Sequence, residues 1–225
     1  MLILARPSSA GIALACSACA AFLAHEPWLV LDGQRGSRAQ REDGPRARVR
    51  LALLLALAGI SGGIGLAFGG LRVALAALAP LVLGLVVAGF VHARREKTLL
   101  GEMAAALALP ALALPIAIAD GVAPSTAGSA FVAWAGIFAV GTGVVRGIVA
   151  GDGRRTAIVP ALVLGALVLS SLFGMTSWRF TTALVPTCLA SIVIALAGVA
   201  PKELRRVGWV LAAASLVALF VISSA

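Results

Sequence analysis

The sequence predicts an all-α polytopic bundle of transmembrane helices, and three observations carry that prediction. Apolar residues make up 61% of the 225-residue chain and charged residues 12%, against about 25% charged in an average soluble domain. The apolar residues form long runs, most of them near the ~20 residues that cross ~30 Å of hydrocarbon as a helix. The runs are apolar on every side, whereas barrel strands alternate apolar with polar residues. Basic residues, finally, gather in every second loop.

Eight runs are expected to span, as one transmembrane domain over residues 1–225: Ser8–Leu31, Leu51–Phe68, Val73–Val91, Leu99–Ala119, Thr126–Val149, Thr156–Phe173, Phe180–Val199 and Val207–Ser224. Only Gly69-Gly70-Leu71-Arg72 separates the second from the third. One span cannot cover Leu51 to Val91, so a tight helical hairpin is predicted there. Met1-Leu-Ile-Leu, followed at once by Arg6-Pro7, reads as the tail of an earlier helix, because a secretory signal places its charge before its apolar region.

The charges orient the bundle. Arg35, Arg38, Arg41, Arg46, Arg48 and Arg50 follow the first run; Arg94, Arg95 and Lys97 follow the third. Arg146, Arg154 and Arg155 surround the end of the fifth, and Lys202, Arg205 and Arg206 follow the seventh. That is fifteen basic residues on one side, against Arg6, Arg72 and Arg179 on the other. Short loops rich in Lys and Arg stay in the cytoplasm, so loops 32–50, 92–98, 150–156 and 200–206 are expected there. The net charge of +9 then reflects topology and predicts no nucleic-acid partner. The expected partners are membrane lipids.

Small residues mark helix contacts. Gly59/Gly63, Gly65/Gly69 and Gly143/Gly147/Gly151 repeat at four-residue spacing, which lets helices approach closely within a bundle or a dimer. Pro80, Pro110, Pro115, Pro160 and Pro186 each remove a backbone donor and can bend a helix. Cys16 and Cys19 match a CxxC spacing, but no βαβ pattern surrounds them. They read as small hydrophobes on one helix face.

Ionisable groups within or beside the runs define a candidate polar pocket on the basic side: His25, Glu26, Asp32, Arg35, Arg38, Glu102, Arg146 and Asp152. A charge inside a span is costly and is by default a candidate site facing the bundle interior. For Glu26 the alternative is an anchor, paired with a loop arginine. Glu102, in the first turn of the fourth run, suits the positive end of that helix. Arg146 either snorkels to the interface or turns inward toward Glu26 or an anionic ligand. No nucleophile elbow, zincin motif, phosphate loop or metal-ligand spacing occurs, so no cofactor and no metal are expected, and catalytic residues are not identifiable.

The segment FLAHEPWLVLDGQRGSRAQREDG, from Phe22 to Gly44, with Gly101-Glu102-Met103 opening the fourth run, resembles the YwiC-like family of bacterial membrane proteins. The resemblance implies a bacterial inner-membrane location, this helix order over most of the chain, and one further upstream helix carrying Glu-His-Gly. The layout is also similar to the nine-helix UbiA superfamily of intramembrane prenyltransferases. That likeness implies aspartate motifs in the loop after Leu31 and near Asp152, which in that superfamily hold a diphosphate through magnesium. Here Asp32 has no aspartate four residues away, and Asp152 is followed by Arg154 and Arg155, which suit direct phosphate binding. Two functions are therefore expected. One is a binding or transport protein with a cytoplasm-facing polar pocket; the alternative is a prenyltransferase-type enzyme acting on an isoprenoid or lipid phosphate.

Overall fold

The computed structural model describes residues 6–151, 157–174 and 178–223, which are predominantly α-helical, with no strand among those residues. Two compact units divide the chain, Met1–Pro124 and Ser125–Ala225.

In the first unit, α1 (Ser9–Leu31) starts at Ser8, whose backbone is extended and whose Oγ accepts from Gly11 N–H at 2.9 Å. At its other end Gly33 takes a left-handed φ of 73°. Gly33 N–H then donates to Val30 O, and Gln34 N–H to Leu29 O. This is a Schellman end, in which glycine adopts φ > 0 without a Cβ clash and the last carbonyls find donors.

The second helix, α2 (Ser37–His92), runs for 56 residues and is broken at Gly70, with φ 71° and ψ −172°. Unbroken it would be roughly 84 Å long at 1.5 Å per residue, far more than one span. Contacts with α1 show that the chain reverses there. On the limb before Gly70, Ser17 Oγ donates to Ala58 O at 2.8 Å, and Gly65 lies against Leu14 and the Ala10 carbonyl. That limb runs antiparallel to α1. On the limb after it, Val73 packs on Leu14, and Val91 O accepts from the Gln34 side chain at 2.7 Å. That limb runs parallel to α1. The predicted break therefore falls within the four residues named from the sequence.

The helix ends after His92 with Arg94 at φ 54°, and Arg94 and Arg95 N–H return to Val91 O and Phe90 O. Thr98 then caps α3 (Leu99–Ala111), accepting from Gly101 N–H at 3.2 Å. A short α4 (Ala113–Ala119) continues it past Leu112. Pro115 cannot donate to the Ala111 carbonyl, one cause of the interruption between them. Leu14, Val73 and Ile116 form the core where α1, α2 and α4 meet.

The second unit holds α5 (Pro124–Ala150), α6 (Ile158–Leu172), α7 (Trp178–Leu196), a 3-10 turn at Pro201–Glu203 and α8 (Leu204–Ser223). Gly136 of α5 admits Leu184 of α7 so closely that a Cβ there would stand 2.6 Å from the leucine, with Val163 of α6 at 3.5 Å. Val144, Ile148, Ile194 and Val207 form a core of α5, α7 and α8. Ser171 and Thr181 hydroxyls share a 2.5 Å hydrogen bond between α6 and α7.

Six helical stretches among the described residues are long and apolar enough to cross a membrane: Ser9–Leu31, Ser37–His92, Leu99–Ala119, Pro124–Ala150, Trp178–Leu196 and Pro201–Ile222. Ile158–Leu172 is apolar but shorter. On α2 the large side chains point outward, as with Leu53 at 66%, Phe68 at 74% and Leu71 at 75% exposure. A continuous apolar surface of this kind is covered by lipid rather than water.

Candidate functional site

The polar residues of the first unit collect where α1 ends, α2 begins, and α2 passes into α3. Glu26 lies in α1 just before Pro27, and both its oxygens accept from Arg35: Nε to Oε1 at 3.0 Å and Nη2 to Oε2 at 2.6 Å. The fork is bidentate, the geometry in which guanidinium and carboxylate bind most specifically. Its two side chains are 49% and 61% exposed for Arg35 and Glu26, so the pair sits at the surface of the unit. This is the anchoring arrangement of the two considered for Glu26. The Schellman turn at Gly33 makes it possible, because it folds Arg35 back over the last turns of α1.

Arg35 holds its proton more tightly than an ordinary guanidinium. The hydrogen bond to Glu26 is the main cause and the Glu26 charge the second; the Glu96 charge adds a smaller contribution, while desolvation acts the other way. Glu96 therefore belongs to the same electrostatic neighbourhood, and its Oε2 is buried without a hydrogen-bond partner. It was not among the residues expected from sequence. Inside Arg94-Arg95-Glu96-Lys97 it looks like ordinary loop charge, and only the tight turn before α3 brings it inward.

The remaining expected residues divide by role. Asp32 caps α1, and its Oδ2 accepts from the Gln34 amide at 2.8 Å. Arg38 pairs with Glu42 one turn along α2, at 2.9 Å and largely exposed. His25 is half-buried on α1, and Glu102 half-buried in the first turn of α3. The glycine before Glu102 is required by space: a Cβ on Gly101 would lie 2.6 Å from Arg95 O and 2.7 Å from Glu96 O. Arg146 is half-buried on α5 in the second unit, and Asp152 lies outside the described residues. Among the described residues no group of three His, Cys, Asp or Glu side chains is placed to hold a metal ion.

A second polar knot, at the other end of the first unit, was not expected from the sequence. Asp120 Oδ1 accepts from Ser8 N–H at 2.8 Å and from Ser8 Oγ at 2.9 Å. The carboxylate lies directly on Gly11, where a Cβ would overlap it. One signal was present in the sequence: Asp120 is the single acidic residue in the loops opposite the fifteen basic residues.

Long apolar helices with charges gathered toward their ends define an integral, multi-pass helical membrane protein. Residues 2–118 match the family described as YwiC-like protein, more than half of the chain and nearly the whole of the first unit. The chain belongs to the YwiC-like family. No curated protein and no solved structure matches it.

Proposed function

We propose that this is an eight-span plasma-membrane protein of binding or transport type, whose polar site opens to the cytoplasm around Arg35. Eight spans follow if the limbs of α2 on either side of Gly70 each cross and the short α6 crosses as well. The observation that carries the site is the Glu26–Arg35 fork, with Glu96 close by, at the membrane end of α1 in the part of the chain that the family covers.

A bidentate, half-exposed guanidinium is a ready receptor for a carboxylate or phosphate that displaces Glu26. The ligand class is therefore a small anion. The test is thermal unfolding of the detergent-solubilised protein against inorganic phosphate and simple mono- and dicarboxylates, with flux of any stabilising anion followed in vesicles. Wild type should be stabilised by at least one of them, and Arg35→Gln should not respond. An equal response in Arg35→Gln, or none in wild type, rejects the anion site. Because the fork is exposed, Glu26→Gln should alter stability by less than about 1 kcal/mol, so that a change in flux is read free of unfolding.

A further inference from the structure

The arginines just before and at the start of α2 differ in their partners. Arg35 and Arg38 are matched to Glu26 and Glu42. Arg46, Arg48 and Arg50 are exposed, and among the described residues they have no acidic partner. All three precede Leu51, where the apolar run begins. At 1.5 Å per residue they stand within about 8 Å of it along the helix, the depth of a headgroup layer beside the hydrocarbon.

Their disposition around the helix is as informative as their depth. Gly44 and Ala47 form the buried side of this segment. Arg46 and Arg50 are four residues apart, so they share a face of the helix, and both are exposed. Like charges at that spacing repel and weaken a helix when nothing neutralises them. Beside them on the same outward side lie Val49 and Leu53, 61% and 66% exposed. Two unmatched guanidiniums above exposed apolar side chains, at headgroup depth, complement a phosphate that carries acyl chains.

We propose that Arg46 and Arg50 hold the phosphate of an anionic phospholipid, with Arg48 on the flank and the acyl chains against Val49 and Leu53. The inference needs only that Leu51 opens a membrane segment and is independent of the anion site at Arg35. The arginines supply charge-assisted, fork-shaped donors to phosphate oxygens, and a basic cluster directly beside a transmembrane helix attracts anionic lipid.

The test uses the full chain in neutral detergent micelles, with added phosphatidylglycerol compared with phosphatidylcholine at equal mole fraction. Phosphatidylglycerol should raise the unfolding temperature of wild type more than phosphatidylcholine does. Arg46→Gln with Arg50→Gln should lose more than half of that difference. Arg38→Gln with Arg41→Gln removes the same charge about 15–20 Å from Leu51 along the helix and should keep it. Equal shifts from the two lipids in wild type overturn the proposal, as does an equal loss in both double variants, which would mean diffuse attraction rather than a site. If the first double variant does not fold, native mass spectrometry of wild type decides: no preferential retention of phosphatidylglycerol overturns it.

Discussion

Asp120 shows how one side chain can tie together the ends of a unit. It ends α4, yet its carboxylate accepts from the backbone and hydroxyl of Ser8 at the start of α1. Helix starts leave backbone N–H groups without partners, and a carboxylate there is favoured by the dipole as well. Losing both hydrogen bonds in Asp120→Ala is expected to cost on the order of 1–3 kcal/mol, read as a lower unfolding temperature in detergent. Ser8→Ala should cost about 1 kcal/mol. Since the two act on one contact, the double variant should cost less than the sum of the singles; strict additivity would show that they do not work together. Glu26 belongs at this scale too. A buried pair would lose several kcal/mol when broken, whereas an exposed one such as Glu26–Arg35 loses little.

At the scale of the element, α2 is the informative case, because its glycines differ in what holds them. Gly70 has φ 71° and ψ −172° with open space around its Cβ position. That backbone region is essentially confined to glycine and costs any other residue about 1–3 kcal/mol. Gly70→Ala should therefore destabilise by that amount through backbone strain alone. Gly59 is helical and exposed, and an added methyl group there would have no neighbour within 4 Å, so Gly59→Ala should stabilise by roughly 0.5–1 kcal/mol. Unfolding of the two variants side by side checks the hairpin: a Gly70→Ala variant no less stable than wild type would mean that Gly70 does not carry the reversal. Gly65 is different again, since Leu14 and the Ala10 carbonyl already fill the space beside it. Four-residue glycine spacing thus covers one position used inside the unit and another left open.

At the scale of the whole molecule the expectation is orientation. Fifteen basic residues in alternate loops against three elsewhere lead us to expect residues 32–50 in the cytoplasm under the positive-inside rule. With eight spans the end near Ala225 then lies outside. Single cysteines should be introduced near Gln40 and near Ala225 after replacing Cys16, Cys19 and Cys188. A membrane-impermeant thiol reagent applied to intact cells should label the second position and spare the first. The opposite pattern would falsify this orientation, and labelling of both or neither would put the span count in error.

What the sequence determined by itself was what depends on local composition. Run lengths and uniform apolarity establish membrane helices, because transfer into hydrocarbon is set by the residues of each segment. Two glycines between runs that are too long together mark the reversal at Gly70, and Phe22–Gly44 with Gly101-Glu102-Met103 carries the family. Tertiary structure alone decided the pairings. Among the described residues Arg35 is the arginine that pairs with Glu26, because Gly33 turns the chain left-handed at that point. Glu96 turns inward because Thr98 and Gly101 tighten the start of α3 around it. Asp120 meets Ser8 across 112 residues of chain, a contact that no local pattern encodes, since it depends on how α1 and α4 pack around Leu14, Val73 and Ile116.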